Sequence, residues 1–249
     1  MDQREFDKMF EVEETNWWYK GRRRLVEQHL AERHREKGRL RILDIASATG
    51  MSFRFLKSYG DSWGVDISQE TIRLCGLRGI KRIVRGDALK LPFRSGCFDA
   101  ILALDALEHF PDDRQALREI ARVARPDALI LITVPAFMFL WSPHDEAFHH
   151  FRRYTAKELR GKLGESGFAI DRLSYYSMTL MPPVWAFRKW RALRRTRQDH
   201  ASSDFFVKLP RPVEWALGTI MNGEIAAMKL VSLPFGVSLF CRTRKLASG

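Results

Sequence analysis

Cysteine is scarce: Cys75, Cys97 and Cys241 are the only three in 249 residues. None forms a C-x-x-C pair, so neither a disulfide framework nor a spacing-defined zinc site is expected. Long hydrophobic runs are missing as well. No stretch reaches the roughly 18 apolar residues of a spanning helix. The first ten residues, MDQREFDKMF, hold no apolar segment of the secretory kind. These absences predict reduced thiols in a core and a cytoplasmic protein. Internal repeats and low-complexity tracts are also lacking.

What is present suits one α/β domain with an added lobe. Hydrophobic residues make up 45%, enough for a large core, and charged residues 29%. The net charge of +12 is unevenly placed: residues 141–249 carry 18 basic and nine acidic side chains. That bias fits an anionic partner for the C-terminal third, or a solvated basic surface.

The first 37 residues read as helices, the second capped by Asn16. From Arg39 apolar strands alternate with helices. RLRILDIA, SWGVDI, KRIVRGD, FDAILALDAL and DALILITVP read as strands. MSFRFLKSYG, a segment capped by Ser68, and one opened by Asp112 read as helices. The last of these carries an apolar face of Ala116, Leu117, Ile120, Val123 and Ala124. This alternation predicts a parallel sheet covered on both faces, with ligands at the carboxyl ends of its strands. Residues 135–154 read as a long irregular connection rich in aromatics and histidines, and such loops tend to be functional. A helix capped by Thr155 and the strand FAIDRLSYYS follow. Residues 178–236 are mainly helical, and GVSLFCRTRK is a final strand.

The most informative stretch is Asp44-Ile-Ala46-Ser-Ala48-Thr-Gly50, closing the first strand. It lacks the glycines of a dinucleotide fingerprint and the G-K-[ST] of a P-loop. It resembles the first motif, roughly D-x-G-x-G-x-G, of the class I S-adenosylmethionine-dependent methyltransferases. The resemblance runs from about residue 40 to 175, with a last strand near 238–245. Asp66 ends the second strand, Gly86-Asp87-Ala88 follows the third, and LPF with FDAILALDALEHF surrounds the fourth. LREIARVARPDALILITVP matches the next helix and strand. The resemblance implies a doubly wound, mainly parallel seven-stranded sheet (Rossmann-like) with the last strand antiparallel. It implies an S-adenosylmethionine site formed by Asp44, Ala46, Ser47, Gly50, Asp66, Ile67, Asp87, Ala88 and Asp105. Asp66 would take the ribose hydroxyls, Asp87 the adenine amino group, and Asp105 the methionine part or the acceptor.

The chemistry of the ligand points the same way. Carboxylates only accept hydrogen bonds, which suits a ribose diol and an exocyclic amine. Capping of turns is the competing role for both acids. Ala46 and Ala48 depart from the family's glycines. Alanine does not freely adopt positive φ, so both are expected at φ < 0, with the ligand side crowded by a methyl.

WSPHDEAFHHFRRYT resembles a bacterial subgroup reading roughly W-S-x-H-D-x-x-x-x-H-x-R-R-Y-T, with a W-x-x-x-R-R element near the N-terminus. Here that element holds Trp18 and Arg22. The resemblance implies that the N-terminal helices fold over the cofactor and that an arginine meets its carboxylate; a solvated helix face is the other reading of Arg22. His150, His144 and Asp145 are the catalytic candidates, because a histidine beside an acid suits proton handling. His109, beside Glu108, is a further candidate. No third ligand stands at a known spacing, so no metal is expected.

Residues 181–197 interleave Trp185, Phe187 and Trp190 with six basic residues, suiting a membrane interface or phosphate contacts. No RNA-reading module is visible, so nucleic acid is the less favoured partner. The organisation expected is an N-terminal helical segment (1–38), a cofactor-binding α/β core (39–177), a helical acceptor cap (178–236) and a final strand with tail (237–249). The function expected is methyl transfer to an O or N atom of a small-molecule or lipid-linked acceptor, with possible peripheral contact at the inner membrane face. A cofactor-binding pseudoenzyme and an RNA methyltransferase are the alternatives. Acceptor identity and oligomeric state are not legible.

Overall fold

The computed structural model describes residues 3–194 and 209–246. Seven strands and nine helices are present among the described residues. The strands are β1 (Leu40–Ile45), β2 (Gly60–Asp66), β3 (Ile83–Arg85), β4 (Phe98–Leu104), β5 (Ala124–Pro135), β6 (Phe168–Tyr176) and β7 (Ser238–Lys245). The helices are α1 (Gln3–Val12), α2 (Trp17–Lys37), α3 (Phe53–Leu56), α4 (Gln69–Leu77), α5 (Asp113–Val123), α6 (Pro143–Ala147), α7 (Ala156–Glu165), α8 (Met181–Arg194) and α9 (Arg211–Ala227).

The strands form one sheet in the order β3-β2-β1-β4-β5-β7-β6, parallel except for β7, which is antiparallel to both neighbours. The central strands are apolar on both faces, as a sheet covered twice requires. Leu40, Ile42, Leu43 and Ile45 of β1 and every residue from Ala128 to Val134 of β5 are buried. β1 pairs in parallel with β2 on one side and β4 on the other. The chain order therefore reverses at β1, which opens a crevice at the carboxyl ends of these two strands.

The caps read from the sequence are made. Asn16 accepts from the Trp18 N–H at 2.9 Å, Ser68 from Glu70 at 3.2 Å and Asp112 from Gln115 at 2.9 Å. Thr155 and Glu158 form a reciprocal capping box. Three expectations need correcting. The helix expected over MSFRFLKSYG shrinks to the four residues of α3, because β2 begins already at Gly60. Ala124 opens β5 rather than ending α5. Residues 135–154 are not irregular: they hold a single turn at Met138–Leu140 and α6, which starts at Pro143 behind a Ser142/Asp145 capping box.

α8 and α9 are inserted between β6 and β7. Glu224 of α9 accepts from the Met178 and Thr179 N–H groups at 2.9 and 2.8 Å, fastening the insertion to the end of β6. α9 also lies close against α2. A Cβ on Gly21 would come within 2.2 Å of the Met221 sulfur, so a side chain there would force Met221 aside. Residues 195–208, including Arg195, Arg197 and the polar stretch QDHASSD, lie outside the described residues.

Asp113, 2% exposed, pins the outer layer: it accepts from the Tyr154 hydroxyl at 2.7 Å and ion-pairs with Lys162 and Arg152. Asp113→Ala leaves those partners without a counter-charge and should lower unfolding free energy by about 2–4 kcal/mol. Urea titration followed by circular dichroism reads this; a loss under about 0.5 kcal/mol would show that Asp113 is not a fastener.

Candidate functional site

The crevice is the mouth of a cavity of about 970 Å³. Walking along the carboxyl edge from β3 to β5 meets Asp87, Asp66, the turn after β1, Asp105, and then the loop after β5. Helices α1 and α2 and the turn between them supply Phe6, Met9, Glu13, Trp18 and Arg22, and the insertion supplies Val184, Phe187 and Leu217.

The turn after β1 is built against local preference. Ala46 has φ 56° and Ala48 φ 47°, which overturns the expectation of negative φ at both. The reason is tertiary. In this conformation the Ala46 N–H reaches the Val65 carbonyl at 2.9 Å and the Ala48 N–H reaches Asp66 Oδ2 at 3.0 Å. Left-handed backbone costs an alanine about 1–2 kcal/mol, and these bonds hold it there. Gly50, also at positive φ, does not line the cavity. A Cβ there would meet the Cys75 sulfur and Ile80 at 2.6 Å, so its role is to seat the turn on α4.

Asp66 lines the cavity with Oδ1 accepting from the Ser68 N–H at 2.9 Å. Burial raises its pKa, and the Ser68 and Ala48 N–H groups counter the rise. Asp87 caps the turn after β3 by accepting from the Leu89 N–H at 2.8 Å, so capping and cavity lining coincide in one residue. Ser47, Ile67 and Ala88 line the same end. Asp44 is 4% exposed and accepts from the Ser52 hydroxyl; burial lifts its pKa to about 6.

Arg22 does not project into solvent. It ion-pairs with Asp105, which stands at φ 50° just past β4, and its guanidinium packs 5.2 Å from the Tyr19 ring centroid. Burial works against the Arg22 charge, and Asp105 more than offsets it, so the pKa rises. Trp18 stacks on Tyr176 with centroids 5.4 Å apart. Glu13 was not singled out from the sequence. It is 4% exposed, lines the cavity, and receives the Thr49 hydroxyl at 2.5 Å and Arg78 at 2.5 Å, tying α1 to the turn after β1. Nothing in the local sequence marks it.

The three catalytic candidates are placed differently. Asp145 is fully buried and does not line the cavity. It binds the Arg153 guanidinium in a two-pronged contact, at 2.8 and 2.9 Å, and accepts from the Ser142 N–H at 2.8 Å. Burial opposes its charge, but the hydrogen bond to His150 and the Arg153 cation outweigh it, so its pKa falls. His150 faces the cavity with Nδ1 2.9 Å from Asp145 Oδ1. His144 lines the wall, packed on Phe148 with centroids 4.4 Å apart, and burial pulls its pKa down to about 3. It is a neutral ring across the working range. His109 packs edge-on to His150 at 4.6 Å, and burial followed by the neighbouring His150 ring lowers its pKa to about 3 as well. Glu108 is fully buried in the cavity wall, and burial, reinforced by Asp105, raises its pKa well above the usual range.

A model of a methyltransferase domain matches residues 43–132. The uncharacterized methyltransferase YcgJ of Bacillus subtilis is 33% identical over 189 residues, covering 66% of this chain and 73% of that one. The chain belongs to the class I S-adenosylmethionine-dependent methyltransferases. A probable tocopherol O-methyltransferase of rice is 34% identical over 122 residues, which cover 44% of this chain and 34% of the rice protein. Against the first curated plant relatives the chain spans about a third to a half of their length. An S-adenosylmethionine-dependent methyltransferase from Mesorhizobium loti superposes with a TM-score of 0.59 at 14% identity, over 94% of this chain and all of that one, and so shares the fold.

The cavity fits the family's cofactor. Two carboxylates stand at adjacent strand ends for the ribose and adenine polar edges, and Arg22 beside Asp105 offers one charge of each sign for a zwitterionic tail. The Ala48 N–H of the strained turn faces Asp66. Because that strain is borne by alanine, Ala46→Gly and Ala48→Gly should each stabilise the protein by about 1 kcal/mol despite glycine's extra unfolded-state freedom. Urea unfolding reads the gain; equal or lower stability in both variants would contradict the left-handed turn.

Proposed function

We propose that this chain transfers the methyl group of S-adenosylmethionine to an oxygen or nitrogen atom of a small or lipid-linked acceptor. The observation that carries the reading is the juxtaposition inside one cavity of the Asp66/Asp87 end with the Asp105/His150 end. A volume of about 970 Å³ is at the upper limit of ordinary small-molecule pockets, which suits two ligands side by side.

S-adenosylmethionine supplies a methyl carbon on a sulfonium; its bond to sulfur breaks as one to the acceptor atom forms. The chain's residues position the two ligands. Asp66 takes the ribose diol, and Asp87 with Ala88 takes the adenine edge. Arg22 and Asp105 take the carboxylate and ammonium of the tail, with Asp44 behind them. Trp18 and the rest of α2 shut water away from that end. His150 works on the acceptor side: Asp145, held ionised by Arg153, fixes the ring, and the ring orients the acceptor atom. His144 and Asp145 then serve as wall and support. The apolar cap residues Val184, Phe187 and Leu217 favour an acceptor with an apolar body over a nucleic acid.

Asp66→Ala removes charge-assisted hydrogen bonds and should weaken cofactor binding by about 1.5–3 kcal/mol, or roughly 10- to 150-fold, by calorimetry. Wild-type affinity in that variant rejects the placement. Cofactor binding by the wild type without product from any acceptor in an untargeted screen would instead mark a pseudoenzyme. His150→Ala should lower turnover by at least about tenfold with cofactor affinity nearly intact; unchanged turnover across pH 6–9 removes His150 from the reaction.

The cap also carries the reading of a peripheral membrane contact. Trp185, Phe187 and Trp190 are about half exposed on α8, and Trp185 lines a small hollow with the exposed Phe139 of the loop after β5. Among the described residues no helix is long and apolar enough to cross a membrane. Aromatic side chains beside basic ones suit the headgroup layer. Arg191 and Arg194 belong to α8, and Arg195 follows it in sequence. Each basic residue near an anionic surface contributes about 1 kcal/mol. Replacing these three with Gln should weaken binding to phosphatidylserine-containing vesicles at least tenfold, with added salt acting likewise. Indifference of the wild type to such vesicles at low salt leaves only a solvated helix.

A further inference from the structure

Glu108, His109 and His150 converge from two loops that are 41 residues apart in the chain, the turn after β4 and the connection after β5. Their donor atoms all lie within 4.8 Å of one another, and all three residues line the cavity. Glu108 is 0% exposed, and neither of its carboxylate oxygens has a hydrogen-bond partner among the described residues. A buried carboxyl with no partner costs stability unless something is there to meet it.

The rings are held from behind. His150 Nδ1 faces Asp145 at 2.9 Å, and Asp145 is itself gripped by Arg153. A carboxylate set against Nδ1 leaves the opposite ring nitrogen as the one able to meet a cation. The Phe148 main chain also hydrogen-bonds the His109 ring. A carboxylate or carbonyl on the far nitrogen of each imidazole is the usual second layer around a metal ion. The two loops are also tied together, since the Phe151 N–H donates to the Glu108 carbonyl at 2.8 Å.

We propose that Glu108, His109 and His150 form a two-histidine, one-carboxylate site for a divalent first-row transition cation, with its remaining positions open to the cavity. Donors about 2.1 Å from a common ion stand at most roughly 4 Å apart, so side-chain shifts of about 1 Å seat it. Two imidazoles with a carboxylate suit Zn²⁺, Co²⁺, Mn²⁺ or Fe²⁺. The cation binds an oxygen of the acceptor and makes it easier for that oxygen's proton to pass to solvent water as the methyl arrives; as a ligand of the cation, His150 orients the acceptor. That last role rests on the methyltransferase reading; cation binding does not.

The test uses the full-length chain, stripped with a chelator and titrated with Co²⁺, whose visible absorption reports its ligands, and with Zn²⁺ by calorimetry. One equivalent should bind per chain with low-micromolar or tighter affinity. Glu108→Gln and His109→Ala should each weaken it at least tenfold, and Asp145→Asn by roughly 10- to 100-fold through loss of ring orientation. S-adenosylhomocysteine binding by each variant verifies its fold and is expected to match the wild type. No stoichiometric Co²⁺ or Zn²⁺ binding, or binding that survives both ligand substitutions, overturns the site. Methyl transfer undiminished by the chelator overturns the cation's role on the acceptor while leaving the methyltransferase reading intact. Tight Co²⁺ binding without any cofactor binding would do the reverse.

Discussion

Asp145 carries a negative charge where no solvent reaches it, and the acceptor side of the cleft is arranged around that fact. A lone buried carboxylate would neutralise itself. Here Arg153 supplies a two-pronged cation, Ser142 a backbone N–H and His150 a ring nitrogen. Those partners come from both ends of the connection after β5. One carboxyl group therefore starts α6, closes the loop over the sheet edge and sets the tilt of the cavity-facing histidine. Removing it strands a buried cation, a heavier penalty than loss of a surface pair.

The same edge concentrates unfavourable backbone. Seven non-glycine residues among those described have positive φ, and all but Asp127 lie just beyond strand carboxyl ends or in the loop after β5: Ala46, Ala48, Asp105, Phe137, His149 and Ser177. Conformations of this kind persist only where the surroundings over-determine them, and they gather where ligands bind. The opposite edge of the sheet holds only Asp127, whose side chain pairs with Arg33. The distribution separates a face built for stability from one built for binding.

The sheet was readable because its determinants are local. Apolar runs buried on both faces, capping residues such as Asn16 and Ser68, and the acid after each strand all lie within a few residues of the element they define. The lining of the cavity was readable where it follows strand ends, as with Asp66 and Asp87. It was less so where distant loops meet. Glu108 and His150 share a wall, but no spacing rule joins residues 42 apart. Asp145 has the residue type of a catalytic acid, and only its burial shows that it stands behind the cavity wall. The alanine turn misled for a related reason: intrinsic preference favours negative φ, and bonds to Val65 and Asp66, donated from that turn, override it.

The close approach of α2 and α9 at Gly21 has a mechanical meaning. One helix walls the end of the cavity assigned to the cofactor, and the other helps wall the end assigned to the acceptor. With Met221 packed against the glycine, the two helices meet as one wall drawn from opposite ends of the chain. Both compartments are therefore bounded in part by the same packed pair, so a side chain added at Gly21 would disturb the cofactor end and the acceptor end together.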